Sequence, residues 1–160
     1  MERQEVMPMN DTGQFVVFTL DRGLYAVHLS AVGRIVSVVE ITPLPGAPEI
    51  VLGVINVAGK IIPVLDVRSR FRLAKRETNL SDQLIIANAL KRSVALIVDS
   101  VTGVIERSVT EVTAAEDVLP NTEYVEGVLR LEEGIVLIHD LDKFLSLDEE
   151  EALDDAMGRR

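Results

Sequence analysis

A predicted β-hairpin decides the fold of this 160-residue chain: residues 53–66 have the sequence GVINVAGKIIPVLD. Two apolar, β-branched runs flank Ala58 and Gly59, which favours two strands joined by a tight turn. Asn56 is a favoured first residue of a type I turn, and Gly59 can take the left-handed conformation after it. Asp66 then stands where a carboxylate can cap a short helix. The stretch predicts strand, turn, strand and helix.

The chain contains this pattern twice. A shift of 74 residues places Gly53-Val-Ile on Gly127-Val-Leu and Asp66 on Asp140. Further upstream, a shift of 69 residues aligns residues 14–36 with residues 83–105 in apolar character. Self-similarity of this kind indicates a duplication. We infer repeat units of about 14–72 and 83–145 within one domain of residues 12–146, with flexible termini at 1–11 and 147–160. A weak acidic helix over residues 146–157 is the alternative to disorder at the C-terminus.

Each copy is expected to form about five short strands and a closing helical turn, so the fold class is all-β with short helices. A unit of this size buries only about 60% of its surface and is marginally stable alone. Five strands avoid exposed edges by curling into a small barrel. The prediction is therefore two packed five-stranded β-barrels, one per copy, joined by the polar link at residues 75–79.

Composition excludes several classes of function. The chain has no cysteine, which excludes disulfides and thiolate metal sites, and only two histidines, far apart in sequence. Its net charge of −10 argues against general nucleic-acid binding. No apolar run approaches the roughly 18–20 residues of a membrane helix, and no signal sequence is recognised, so we expect a cytoplasmic protein without direct membrane insertion. No catalytic constellation, metal site or cofactor site is predicted, which favours a binding module over an enzyme.

Three polar features need an interpretation. His28 lies on the strand face opposite its apolar neighbours, so a solvated histidine is expected. His139 precedes Asp140, which the repeat already explains as a helix cap. The basic residues are either cations at a helix end with a solvated linker or a patch for an acidic partner, and they comprise Arg68, Arg70, Arg72, Lys75 and Arg76.

The hairpin sequence, extended to Arg68, resembles the signature stretch of CheW-type chemotaxis coupling proteins. Residues 14–20 resemble the opening strand of that family, and residues 25–35 resemble its second strand and the turn after it. The resemblance covers about residues 12–146. It implies two packed five-stranded β-barrels and no enzymatic activity. It also implies an adaptor that connects the cytoplasmic tips of methyl-accepting chemoreceptors to the regulatory domain of a CheA-type histidine kinase.

The resemblance also implies a receptor-binding site, carried over to Val32, Arg34, Gly53, Asn56, Ala58 and Gly59. Two of these positions depart from the family pattern. Family members commonly have Glu at the position of Arg34 and Arg at the position of Ala58, and the two can pair electrostatically. An unpaired Arg34 is tolerable only if it is solvated or meets a carboxylate of a partner. Either the receptor surface has changed or the contact has drifted. The kinase-binding residues are not identified.

Two other functions stay open at this point. The chain could be a CheW-like scaffold that binds a kinase in a pathway other than chemotaxis, such as motility. It could also be a small barrel that binds a ligand, which would require an internal pocket with convergent polar groups.

Overall fold

The computed structural model describes residues 12–89, 92–114 and 124–158. The predicted flexible segment 1–11 lies outside the described residues. Within these residues, eleven strands and two α-helices follow one another in this order: β1 Thr12–Leu20, β2 Gly23–His28, β3 Val32–Ser37, β4 Val51–Val57, β5 Lys60–Leu65, α1 Val67–Arg70, β6 Gln83–Asn88, β7 Ser93–Val98, β8 Ser100–Ser108, β9 Thr113–Ala114, β10 Val125–Leu131, β11 Gly134–His139 and α2 Leu147–Gly158. Single 3-10 turns follow β2, β8 and β11. The predicted all-β class with short helices is confirmed.

The strands form two packed sheets. One sheet has five strands in the order β3-β6-β7-β5-β4, and the other has six in the order β8-β1-β2-β11-β10-β9. The sixth strand, β9, has only two residues and pairs with β10 at Ala114 and Thr113. Its counterpart in the five-stranded sheet is a single bridge between Thr42 and Val54. The two sheets are therefore built to the same plan.

The duplication is visible in the strands themselves. The strands β4 and β5 occupy residues 51–57 and 60–65, and the 74-residue shift carries both onto the bounds of β10 and β11. A bulge interrupts the pairing between Val51 and Gly53 in β4, and between Val125 and Gly127 in β10. The irregularities are therefore repeated together with the strands.

The assignment of one sheet to each copy was wrong. The β1–β2 hairpin of the first copy pairs with β8 of the second, and β2 pairs in parallel with β11 of the second. In the other sheet, β6 and β7 of the second copy pair with β3 and β5 of the first. The copies thus exchange their first two strands, because hydrophobic periodicity identifies strands but not their partners. Residues 75–79 therefore do not join two independent units.

The core reflects this exchange. One cluster lies between the sheets and combines Phe18 and Tyr25 of the six-stranded sheet with Ile85 and Leu96 of the other. Each sheet also has an apolar cluster of its own. Burying one large apolar side chain stabilises the folded state by about 1.5 to 3 kcal/mol. The shared cluster is therefore the main link between the sheets. Neither copy can complete this cluster alone.

The closed barrels remain a prediction. Over the described residues, the ladder of each sheet has two ends: β3 and β4 in one, β8 and β9 in the other. A short stretch of chain joins the two end strands in each case. In the five-stranded sheet the Thr42–Val54 bridge brings this stretch onto β4. Each sheet thus has its own apolar cluster, and its ladder is open over the described residues.

The hairpin turn and the predicted cap differ in detail from expectation. Ala58 and Gly59 have φ angles of +52° and +83°, so the two-residue turn is of the type I′ kind and not the predicted type I turn. Asn56 nevertheless supports it, because its Oδ1 accepts a hydrogen bond from the N–H of Gly59 at 2.9 Å. Asp66 precedes α1 but its side chain makes no capping bond. Asp140 does, accepting from the N–H of Asp142 at 3.2 Å.

The C-terminal segment was expected to be flexible over residues 147–160, and the structure instead contains α2 there. Ser146 and Glu149 form a reciprocal cap, each side chain accepting from the backbone N–H of the other at 3.1 and 2.9 Å. Leu153 is fully buried in the shared core cluster. Arg92 contacts Glu150 at 3.4 Å and pairs with Asp154. The buried Leu153, the cap and the ion pairs with Arg92 together stabilise a helix in this acidic segment.

Candidate functional site

The six sequence-predicted site residues all lie on the five-stranded sheet or its hairpin turn. Val32 and Arg34 belong to the end strand β3, and Gly53 and Asn56 belong to the other end strand, β4. Ala58 and Gly59 form the turn between β4 and β5. The structure therefore brings the last four together on one hairpin and places the first two on the opposite end strand.

The hairpin turn is a rigid, exposed feature. Asn56, Ala58 and Gly59 are all exposed. The hydrogen bond from the N–H of Gly59 to Oδ1 of Asn56 holds the turn in this conformation. Ala58 is held at positive φ, which costs a residue with a Cβ roughly 1 kcal/mol or more. Asn and Gly tolerate this conformation best, so Ala58 is an unusual choice. The turn presents backbone and a methyl group to a partner, with no charge at its tip.

Gly53 is a structural residue. It is buried, with φ at +155°, and a Cβ added there would lie 2.3 Å from the carbonyl oxygen of Thr42 and 2.8 Å from the side chain of Ile41. Thr42 and Val54 exchange two backbone hydrogen bonds of 2.9 and 2.8 Å directly beside it. Gly53 thus allows the segment after β3 to cross β4. A direct receptor contact by Gly53 is not supported by this geometry.

Arg34 meets the condition set by the sequence. It is exposed, and among the described residues its guanidinium has no ion pair or hydrogen bond. A bulge between Val32 and Arg34 shifts the register of β3 against β6 at this point. Val32 is half-buried and packs against the shared core cluster. Arg34 is therefore a solvated cation on an end strand, available to a carboxylate of a partner.

Sequence reasoning missed two apolar residues on this sheet. Ile35 of β3 is 37% exposed and Ile61 of β5 is 51% exposed. Each has an apolar neighbour in sequence, Val36 and Ile62 respectively, so strict alternation does not show which of the two side chains points outward. Their counterparts in the second copy, Val104 and Ile135, are 52% and 53% exposed. Each sheet thus exposes a pair of apolar side chains at equivalent positions.

The basic cluster fits the first of its two interpretations in part, because Arg68 and Arg70 lie in the last turn of α1, and Arg72 and Lys75 are exposed. Arg68 is 7% exposed; it donates to Asp99 at 3.1 Å, pairs with Asp21 and also bonds the carbonyl of Ala74. Arg76 forks onto Asp82 at 2.7 and 3.1 Å and reaches Asp99 as well. Bonds to Asp82 and Asp99, in that order of effect, raise the pKa of Arg76. These arginines form an internal ion-pair network, a use of charge that spacing along the chain does not reveal.

Arg70 also serves the fold. It bonds the carbonyl of Phe144 at 2.8 Å and pairs with Glu149 of α2. Its guanidinium lies 5.1 Å from the ring centre of Tyr124. The contact of Lys75 with Glu49, at 3.7 Å between exposed side chains, contributes little. The cluster therefore fixes α1, α2 and the link to the sheets.

The two histidines have opposite environments. His28 is half-buried, with 41% of its side chain exposed, and its Nε2 lies 2.6 Å from a carboxylate oxygen of Glu126. This hydrogen bond raises the pKa of His28. His139 is 1% exposed, beside Phe71 and Phe144, and neither ring nitrogen has a partner within the described part of the chain. Burial, assisted by the charge of Arg70, lowers the pKa of His139 to about 3. His139 is a neutral core residue.

Two negative findings apply to the described ranges only. Residues 12–89, 92–114 and 124–158 contain no group of three or more acidic, histidine or cysteine side chains placed to hold a metal ion. No helix in these ranges is long and apolar enough to span a bilayer.

Comparison with known proteins identifies the family. The profile described as "CheW-like domain" matches residues 14–149. The chain is 30% identical over 154 residues to the chemotaxis protein CheW of Treponema pallidum, covering 92% of this chain and 91% of the relative. It is 29% identical over 145 residues to CheW of Rhizobium meliloti, covering 89% and 94%.

A solved structure agrees with these matches. The crystal structure of the scaffolding protein TtCheW from Thermoanaerobacter tengcongensis superposes with a TM-score of 0.78. The two chains are 33% identical, and the superposition covers 89% of this chain and 96% of that one. Two sheets of the same plan, a matching family profile over most of the chain and relatives of nearly equal length all agree: the chain belongs to the CheW-like domain family.

Proposed function

We propose that this protein is a non-enzymatic adaptor that connects chemoreceptor tips to a CheA-type histidine kinase at the cytoplasmic side of the membrane. Its family, and relatives named as chemotaxis and scaffolding proteins, support this function. The observation that carries it is that each sheet exposes apolar side chains at equivalent positions, Ile35 and Ile61 on one and Val104 and Ile135 on the other. Exposed apolar side chains on both sheets suit a protein that holds two others together.

The receptor side of this proposal is the five-stranded sheet. Arg34, Asn56, Ala58 and Gly59 are exposed there and contribute directly, whereas Gly53 acts by allowing the chain to cross β4. Ile35 and Ile61 add apolar area to the same sheet. The solvated Arg34 gives this surface a positive charge, so the cognate receptor is expected to present a carboxylate. Val104 and Ile135 offer the second partner an equivalent surface on the other sheet.

We further propose that each sheet works as a barrel in these contacts. Each sheet has its own apolar interior cluster, as a barrel does. A kinase regulatory domain of the same fold would then pack barrel against barrel. This view is supported by the chain segments that join the end strands of each sheet.

The direct test is co-sedimentation of the protein with a cognate receptor fragment and the kinase, with kinase activity as the readout. Wild-type protein is expected to bring the kinase to the receptor and raise its activity. Binding of neither partner would refute the adaptor function. Binding of the kinase without the receptor would instead indicate a scaffold in another signalling pathway.

The altered receptor surface has a test of its own. The double variant Arg34→Glu with Ala58→Arg restores the usual family residues and is expected to change which receptor fragments are bound. Arg130→Glu is the matched control, because Arg130 is an exposed arginine at the position of the second copy that corresponds to Asn56. An unchanged receptor spectrum in the double variant would show that these two positions do not set specificity.

A further inference from the structure

Asp66 is a buried carboxylate without a partner. Only 8% of the residue is exposed, and within the described part of the chain its side chain makes no hydrogen bond or ion pair. Its backbone carbonyl is used, accepting from the N–H and the Oγ of Ser69. The carboxylate oxygens are nevertheless not sealed from solvent, so a cation that approaches from outside can reach them. The carboxylate of the corresponding Asp140 has a partner in the N–H of Asp142.

Asp66 lines a cavity of about 230 Å³ beside the internal ion-pair network. The charged residues around this cavity are four acids and two arginines: Asp66, Glu77, Asp82, Asp99, Arg68 and Arg76. Both arginines pair with other acids, Arg68 with Asp21 and Asp99, and Arg76 with Asp82 and Asp99, and neither pairs with Asp66 or Glu77. The cavity therefore has an excess of negative charge that its own cations do not neutralise.

Apart from Thr78, the rest of the cavity is apolar. Ile97 and Val98 of β7 line it together with Leu52 of β4. Leu52 is 39% exposed, although it is a large aliphatic residue. Its counterpart in the second copy is Glu126, which pairs with His28. The first copy thus combines an unpartnered carboxylate with an uncovered apolar residue, a combination that the second copy lacks.

We propose that this cavity receives an arginine side chain of a partner protein, with the guanidinium against Asp66 and the aliphatic stem along Leu52 and Ile97. The proposal rests on the adaptor function, since the arginine belongs to one of the two proteins that the adaptor holds. A guanidinium is planar, forks onto a carboxylate and is less strongly hydrated than an ammonium group, which suits a partly apolar cavity. Arginine is also over-represented among the residues that dominate interface energies.

The size of the cavity favours a side chain over a free metabolite or a metal ion. Sites for small molecules usually have about 300–1,000 Å³, and this cavity is smaller. The described residues provide no metal-ligating group of three or more side chains here. A single inserted side chain needs one carboxylate and an apolar wall, and both are present.

The first test uses two matched variants. Asp66→Asn removes the charge and keeps the shape, and Asp140→Asn makes the same change at the equivalent position, where the carboxylate already has a partner. Affinity for the kinase regulatory domain and for the receptor fragment is measured separately. Asp66→Asn should weaken one of the two complexes by about tenfold or more, and Asp140→Asn should weaken neither. Equal binding of both partners by wild type and Asp66→Asn would overturn the proposal and leave the adaptor function intact.

The second test uses only the wild-type protein, so it does not depend on whether a variant folds. N-acetyl-arginine-N-methylamide is titrated into ¹⁵N-labelled wild-type protein, with the citrulline analogue as an uncharged probe of the same shape. The arginine probe should shift the amide signals of Leu52, Thr78 and Val98 in a saturable way, and the citrulline probe should not. Absence of these shifts, or equal shifts with both probes, would overturn the arginine site even if both partner proteins bind the adaptor.

Discussion

The two copies share their strands and bulges, yet they differ in the residues immediately after each hairpin. After β5 the first copy has a buried, unpartnered Asp66 and a buried Arg68. After β11 the second copy has Asp140, which caps a 3-10 turn, and the exposed Asp142 at the position of Arg68. At the last residue of each hairpin, Leu65 in one copy corresponds to His139 in the other. The comparison indicates that duplication provides the framework, whereas a few residues at the hairpin ends make the copies distinct.

Substitutions of Gly53 and its second-copy counterpart Gly127 give the largest expected change in stability. Gly53→Ala would place a Cβ against the backbone oxygen of Thr42, which cannot move without breaking the Thr42–Val54 bridge. We expect a loss of about 4 kcal/mol in the free energy of unfolding, from overpacking and an unfavourable φ together. Gly127→Ala meets a side-chain methyl group of Val112 first and should cost about 1 to 2 kcal/mol. Urea denaturation compares the two, and equal losses would contradict this difference.

Substitution of Arg68 gives the next largest expected loss of stability. Arg68→Met keeps much of the aliphatic packing but leaves the carboxylates of Asp21 and Asp99 without this cation. The expected cost is about 2 kcal/mol, because Arg68 is buried, whereas the side chain of Asp21 is 48% exposed and Asp99 keeps its pair with Arg76. Arg72→Ala, at an exposed arginine of the same segment, is the control and should leave the urea midpoint nearly unchanged. Similar effects of the two substitutions would show that the network does not stabilise the fold.

His139 should make the protein sensitive to acid. Its folded pKa of about 3 lies below the ordinary value of 6.5, so the unfolded chain binds a proton that the folded chain does not. Stability is therefore lost as the pH falls below 6.5, by about 2 kcal/mol at about pH 5. His139→Leu introduces the residue that the first copy has at this position and should abolish this loss.

The measurement is the difference in unfolding free energy between wild type and His139→Leu at neutral pH and near pH 5. His28 acts in the opposite direction, because its raised pKa adds stability at low pH that is lost as the pH rises through the folded pKa. Since His28 is present in both proteins, its contribution cancels. If both proteins lose the same unfolding free energy between neutral pH and pH 5, His139 is not the cause of the loss.

The hairpin turns give the smallest effect. Ala58→Asn places a residue that tolerates positive φ before Gly59 and should stabilise the protein by about 0.5 kcal/mol. Glu133→Asn is the control in the second-copy turn, where neither Glu132 nor Glu133 has positive φ. A thermal midpoint that rises in the first variant only would agree with this account. A rise in both would indicate a general effect of asparagine in turns.

Much of the fold follows from the sequence. The repeat shifts give the bounds of β10 and β11 from those of β4 and β5, because apolar class and glycine positions are kept in both copies. The exchange of strands was not predicted, since every strand of one copy has the same pattern as its counterpart in the other. The terminal helix could be predicted only as an alternative to disorder, because its signals are a single buried Leu153 and the Ser146–Glu149 cap within an acidic run.

The candidate site could be predicted only in part. The glycines and Asn56 indicate a tight turn, and family likeness directs attention to it. The burial of Gly53 and the exposure of Ile61 depend on which chain segment crosses which strand, and no local pattern contains that information. Asp66 was interpreted as a cap for the same reason, because only tertiary structure shows that its carboxylate has no partner.

Separate expression of the two halves, residues 12–76 and 77–158, tests the exchange of strands most directly. Each half lacks the strands that complete its sheets, so each alone should give the narrow amide spectrum of an unfolded chain. Mixing them in equal amounts should restore the dispersed spectrum of the intact protein and its cooperative unfolding. A dispersed, cooperatively unfolding β spectrum from either half alone would contradict the account.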